Sequence, residues 1–437
     1  MSDAWCIEHF MMSGIEQTSP SGLLSLQQVG PIVLVAYGGG HVAMLAPVAR
    51  ALRARGRPVV VLALTTAGPY LERAGIDYVS YRDLPDANSE DVLAYGRRLT
   101  AGMPAGGEVP LAESIAYMGL NYRELVACHG SEAAAQLYAS KGRQAFLPIG
   151  LFERWFAQLR PSLVVATNSP RSEQAALEAA ARLGIASICA VDIFGLQEIQ
   201  WIRKPGYASR ICVLNEQVRE MFLAQGCLPE QVVVTGNPAF ERLQLEAARA
   251  AGHSLRASKG WTADETVLLW ASQVEPEQHP FADRKGDPTL PRRIEASLRR
   301  FVAQNSGYRL VVRYHPSERV EFEQGQERVE LSRVGEDLVA LLHAVNVVIV
   351  MSSTVGLEAH LVGRPVLSVS GSIFTDDAPY ARMGIATDVP SADLLEAALL
   401  SMNLPTSQAS RSEDTVAMSA TDNLVGVIES LLEPVSR

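Results

Sequence analysis

No apolar string in the sequence approaches the roughly 18 residues that a membrane-spanning helix requires. The longest, such as Val345–Met351, are far shorter, so any membrane contact is expected to be peripheral. The N-terminus carries Asp3 and Glu8 ahead of Met11 and Met12, not a basic region followed by an apolar one, and does not read as a signal peptide. Residues 1–28 are polar and aperiodic, the pattern of a loose leader. Cysteine is scarce and scattered: Cys6, Cys128, Cys189, Cys212 and Cys227 form no CxxC pair. Their odd number argues against a disulfide scaffold and fits a reducing cytoplasm, where the chain is expected to reside. HExxH and Cys/His clusters are missing, so no metal site is expected. A basic excess is missing too. Lys and Arg total 38 against 48 Asp and Glu, a formal net charge of −10. Surfaces that bind a duplex neutralise its phosphates, so nucleic acid is not expected as a partner.

What the sequence does contain is a globular balance. Its 437 residues are 48% hydrophobic and 20% charged, and at about 150 residues per domain they suffice for two or three domains. Strand and helix signals alternate. Pro31–Tyr37 is a short, wholly apolar run, as a parallel strand covered on both faces requires. Gly38-Gly39-Gly40 breaks it, and Val42–Arg55 has helical spacing. Arg57–Leu64, a helix near Gly68–Ala74 and a strand at Tyr78 complete a βαβαβ unit. Residues 81–150 read as an insertion over the cleft, helical around Ser89–Thr100, Leu111–Ala127 and Ser131–Ala139. The rhythm resumes with strands at 162–166, 186–191, 210–214 and 231–235. One Rossmann-like domain thus spans 29–240, a polar linker 241–265, and a second Rossmann-like domain 266–437. Strands of the second lie at 266–271, 308–314, 345–351 and 365–369, and segments 275–291 and 405–419 read as mobile. The expected fold is α/β: two doubly wound parallel sheets facing a central cleft, with ligands at the strand C-termini.

Three motifs stand at such ends. In Tyr37-Gly38-Gly39-Gly40-His41, glycines let the backbone approach a ligand, and free N–H groups at the helix start attract anions. Gly39 and Gly40 are therefore candidate binding residues. His41 is placed to accept a proton from an acceptor hydroxyl and is the candidate catalytic base. The same run also serves as a tight turn that His41 caps. In Val312–Glu318, Arg313 and His315 share one side of a strand by its period of two, and Pro316 ends that strand. A cation beside an imidazole suits a phosphate or a base; the alternative is a strand-ending His with Arg313 in a surface ion pair. In the third, Ser352, Ser353 and Thr354 offer three hydroxyls at a helix start, a ready phosphate site, with one serine sufficing as N-cap. Glu358, one turn on, has two oxygens for paired ribose hydroxyls. Ser272 and Gln273 follow the strand 266–271 and either meet phosphate or form a polar loop tip. Asp192 and Glu113 are lesser candidates for the base. Asp376-Asp377 either binds sugar hydroxyls or forms a solvated acidic turn.

GGGHVAMLAPVARALRARG resembles the opening of cytoplasmic glycosyltransferases of the glycosyltransferase-B type, in which the Gly-rich turn and its His sit beside acceptor and diphosphate. VVTGNPAFERL and MSSTVGLEAHLVGRPVLSV resemble both nucleotide-sugar 2-epimerases and surface-polysaccharide transferases. His315-Pro316 followed by Ser352-Ser353 is similar to the paired HP and serine motifs of bacterial sialyltransferases, which hold the phosphate and ribose of a CMP-sugar. The resemblance implies a metal-independent glycosyltransferase without a cofactor. It would move a sugar from a UDP- or CMP-linked donor to a glycolipid, protein or metabolite, for polysaccharide or glycoconjugate synthesis. Two departures matter. Where epimerases carry paired arginines and Glu-Asn, this chain reads Trp270-Ala271-Ser272-Gln273-Val274-Glu275, which disfavours epimerisation. The acidic motif that supplies the base in sialyltransferases has no clear counterpart. A nucleotide-sugar 2-epimerase or hydrolase, or a non-catalytic nucleotide-sugar-binding partner protein, are the alternatives.

Overall fold

The computed structural model describes residues 30–103, 107–279, 282–333, 335–402 and 419–433. Two six-stranded parallel sheets organise the chain. The first contains β1 (Ile32–Ala36), β2 (Val59–Ala63), β3 (Leu163–Thr167), β4 (Ser187–Ala190), β5 (Arg210–Val213) and β6 (Val232–Val234), in the order β2-β1-β3-β4-β5-β6. The second contains β7 (Thr266–Ala271), β8 (Tyr308–Arg313), β9 (Val329–Leu331), β10 (Val347–Val350), β11 (Val366–Val369) and β12 (Thr387–Val389), in the order β12-β11-β10-β7-β8-β9. Every pairing is parallel. Helices cover both faces, which is why β1, β3 and β10 are buried along their whole length and read as unbroken apolar runs.

Strand order fixes where a ligand can sit. In the first sheet the chain winds outward from β1 in one direction and from β3 in the other; in the second it does so from β10 and β7. Each of these reversals leaves a crevice at the strand C-termini. The loops after β1 and β3 therefore meet at one crevice, and those after β7 and β10 at the other.

The described part of the expected insertion carries the helices Glu90–Thr100, Leu111–His129 and Ser131–Lys141, and at its end begins a further helix, Ile149–Leu159, that the sequence pattern did not single out. Two features differ from expectation. Segment 275–291 is pinned where it is described: Glu275 is buried and accepts from the Ser372 hydroxyl (2.8 Å) and the Ile373 amide (2.5 Å). Within the same segment Gln278 pairs antiparallel with Lys285, and His279 binds Asp377 at 2.7 Å. Glu275, His279 and Arg284 thus have partners within the fold, whereas Glu277, Asp283 and Lys285 are exposed. The other expected mobile segment, 405–419, lies outside the described residues apart from Ser419, which caps a helix. That last helix, Ala420–Leu432, belongs by sequence to the 266–437 unit but packs on the first sheet, where Leu424, Val425 and Ile428 join Ile32, Leu34 and Leu45.

Candidate active site

The β1 crevice is built by a strand that runs into Gly38 and Gly39. Gly39 has φ of 70° and ψ of −134°, a conformation that favours glycine, and this turn starts the helix Gly40–Ala54 directly at the strand end. His41 is held there by a relay from the neighbouring strand. Its Nδ1 lies 2.6 Å from Thr167 Oγ1 at the end of β3, and the Thr167 hydroxyl donates to Glu173 Oε2. Because that hydroxyl's proton is committed to Glu173, its lone pair accepts from Nδ1–H, leaving Nε2 as the basic nitrogen. Glu173 is fully buried at the start of the helix Ser172–Arg182, and also accepts from the amides of Tyr37 (2.7 Å) and Ser169 (2.8 Å). Burial pushes the Glu173 carboxyl up, while His41 and the three donors favour its ionised form. Nε2 faces Ser169 Oγ at 3.1 Å and Asp192 Oδ2 at 3.8 Å. Burial disfavours the imidazolium, but Glu173, Asp192 and Glu198 outweigh it and raise the His41 pKa above the ordinary 6.5. The result is an oriented imidazole, its basicity raised by acidic neighbours, in the first turn of the Gly40–Ala54 helix.

Asp192, a lesser candidate by sequence, is the second acidic neighbour of His41, and the Asn168 side chain accepts its amide at 3.0 Å. Glu113 is already occupied: it is buried and accepts from the amides of Tyr81 (3.0 Å) and Arg82 (3.3 Å). Thr167, Ser169, Glu173 and Glu198 were not anticipated. The one sequence signal for them was the polar stretch Thr167-Asn168-Ser169 directly after an apolar strand.

In the second half, Gln273 bridges the crevice between β7 and β10. Its Nε2 donates to Ser352 Oγ (2.8 Å) and its Oε1 accepts from the Ser352 amide (3.0 Å). Ser353 caps the helix Thr354–Leu361 through a 3.4 Å bond from the Val355 amide, and Thr354 is exposed at its first turn. The three hydroxyls thus have three different environments. Ser272 and Arg292 both bind Glu318 Oε1, at 2.9 and 2.7 Å, and Glu318 Oε2 accepts the His315 amide at 2.7 Å. His315 is exposed, and its Nδ1 accepts the Ser317 amide at 3.1 Å. Arg313 donates to Ser332 Oγ (2.9 Å) and the Glu336 carbonyl (3.1 Å), so it shares no bond with His315. Glu358 is buried, and its Oε2 accepts no hydrogen bond among the described residues, with Arg242 Nη2 3.5 Å away. Burial pushes the Glu358 carboxyl up against the opposing pull of Arg242 and Arg313. Asp377 is held by His279 and by Arg284 (2.9 Å), so it is not the solvated turn envisaged as one alternative.

No family model and no curated protein sequence matches the chain. Solved structures do match its fold. The UDP-GlcNAc 2-epimerase of Methanocaldococcus jannaschii aligns over 92% of this chain and 99% of its own, with a TM-score of 0.54 and 12% identity. That of Neisseria meningitidis, bound to UDP-GlcNAc, aligns over the same shares with a TM-score of 0.53 and 14% identity. The glycosyltransferase of kitacinnamycin aligns over 93% and 95%, with a TM-score of 0.49 and 14% identity. The fold is of the glycosyltransferase-B type. Both its sheets, and the two crevices that carry His41 and Gln273–Ser352, are the parts this architecture supplies. Among the described residues no helix is long and apolar enough to cross a membrane.

Proposed function

We propose that this protein transfers a glycosyl unit from a nucleotide-sugar to an acceptor hydroxyl, with His41 as general base. The observation that carries the reading is the His41–Thr167–Glu173 relay, which fixes the tautomer and leaves Nε2 as the basic nitrogen at the crevice. Nε2 takes the acceptor's proton, the acceptor oxygen bonds to the anomeric carbon, and the phosphate oxygen leaves with the electron pair of the broken C–O bond. A positioned base of this kind contributes about 10²- to 10⁴-fold. The nucleotide falls to the second half. The amino end of the Thr354–Leu361 helix, where the Val355 amide makes only a long 3.4 Å bond to Ser353, suits phosphate, and Ser352, Ser353, Arg313 and His315 are its proposed ligands. The unbonded Oε2 of Glu358 suits a ribose hydroxyl. No metal takes part in this scheme, so chelation with EDTA is expected to leave the rate unchanged. A cytoplasmic setting suits such a donor.

The M. jannaschii and N. meningitidis structures are of UDP-GlcNAc 2-epimerases, one with UDP-GlcNAc and UDP and one with UDP-GlcNAc, so UDP-sugars are the first donors to try. Incubation with UDP-GlcNAc alone separates the readings. A transferase consumes it slowly without acceptor; rapid formation of a 2-epimer or of free sugar overturns the proposal. His41→Ala is expected to keep UDP affinity and lose transfer at least a hundredfold. A variant with unchanged transfer removes His41 from the chemistry.

A further inference from the structure

A cavity of about 350 Å³ lies beside the His41 crevice, between the ends of β1 and β2 and the inserted helices. This is near the lower end of the roughly 300–1,000 Å³ of ligand pockets, room for a single-ring molecule. Tyr37, Tyr117 and Met118 give it an aromatic and thioether surface. Its charges do not cancel. Arg143 and Arg171 line it against one carboxylate, Glu113, which the Tyr81 and Arg82 amides already occupy and which lies 3.5 Å from Arg82 Nε. Among the described residues neither arginine is paired with a carboxylate. The buried Nε of Arg171 has no hydrogen-bond partner among the described residues, and the guanidinium lies over the Tyr37 ring at 5.1 Å. Arg171 also holds φ of 72° and ψ of −110°, a strained conformation for a side-chain-bearing residue, of the kind retained where the surroundings fix a functional group. Cavity and base share parts: Tyr37 donates its amide to Glu173, two residues after Arg171.

We propose that this cavity binds the acceptor by an anionic group: a small hydroxylated molecule with an aromatic or apolar body whose carboxylate or phosphate pairs with Arg171 and Arg143. That the bound anion is the acceptor rests on the transferase reading; the anion site itself does not. Calorimetric titration of the full chain at low salt with 4-hydroxybenzoate, phenyl phosphate and neutral 4-hydroxybenzamide tests it. At least one anion is expected to bind tenfold or more tighter than the amide, and the tighter anion identifies carboxylate or phosphate as the group. Arg171→Gly should abolish the difference. Glycine adopts φ of 72° readily, so the variant keeps its fold, and UDP affinity should be unchanged. Arg143→Gln should lower the preference severalfold. Equal binding of the amide, an unaffected Arg171→Gly, or no binding by any probe at millimolar concentration overturns the inference. Anion binding that depends on Arg171 in a protein without transfer activity would retain the site and reject the transferase reading. Transfer to neutral acceptors indifferent to Arg171 would do the reverse.

Discussion

His41 owes its properties to residues that touch it from three directions. Three carboxylates raise its pKa, whereas Thr167 orients it without charge, and the two effects can be separated. On the proposed mechanism the base works as neutral imidazole, so kcat/KM should fall as pH drops through the raised pKa, placing the acid limb above the 6.5 of an ordinary histidine. Glu173→Gln removes a negative charge that stabilises the imidazolium. The His41 pKa then falls, and the acid limb should move to lower pH. Thr167→Val keeps the carboxylates but cuts the relay; its limb should stay near that of the parent while kcat drops, by less than the about 10²- to 10⁴-fold that a positioned base contributes. A Glu173→Gln profile that stays put or moves upward would refute the electrostatic account. At this scale the sequence was only partly legible. His41 announced itself by sitting after three glycines. Glu173 looked like an ordinary first-turn acid of the Ser172–Arg182 helix, since its three donors come from Tyr37, Thr167 and Ser169, two of them on other strands' termini.

Elements with an internal signal were legible, and those defined by neighbours were not. β1, β7 and β10 are covered on both faces and show it as apolar runs. β9 and β12 are three-residue edge strands, partly exposed, whose strand character comes from pairing with β8 and β11. The insertion gives a sharper case. Its helices were visible, but not how closely Glu90–Thr100 and Leu111–His129 cross. A Cβ on Gly119 would stand 2.1 Å from the Val92 carbonyl oxygen, and one on Gly96 2.2 Å from that of Ile115. Backbone atoms cannot step aside as a side-chain end would. Gly119→Ala gains about 1 kcal/mol of helix propensity. It also forces the helices apart, and such overpacking costs about 1–3 kcal/mol. The clash should win: the variant melts lower, and because Tyr117 and Met118 flank the position, its anion binding weakens as well. A variant that melts higher would mean that the two helices are free to separate.

Across the whole molecule the chain passes between the halves twice, once through the Pro238–Gln244 turn and once before Ala420. The returning helix closes the first core. Ile428, Leu424 and Val425 are fully buried against β1 and the Gly40–Ala54 helix. Polar ties surround them: Thr421 donates its amide (2.7 Å) and hydroxyl (2.8 Å) to Glu241, and Arg55 reaches Asp422 and Glu429, both at 2.9 Å. These contacts differ in worth. Arg55 is 38% exposed, so solvent screens its ion pairs, and Arg55→Ala should cost no more than about 1 kcal/mol. Ile428→Ala opens a cavity in an apolar core, at about 2–5 kcal/mol. The loss should also be local. Hydrogen exchange of Ile428→Ala should speed at the Ile32–Ala36 amides, which lie under the helix, and hold steady at Val347–Val350 in the other sheet. UDP, which the proposed function assigns to the second half, should still slow exchange around Ser352 in that variant, by binding the native form. Equal acceleration in both sheets would instead make the two halves one cooperative unit.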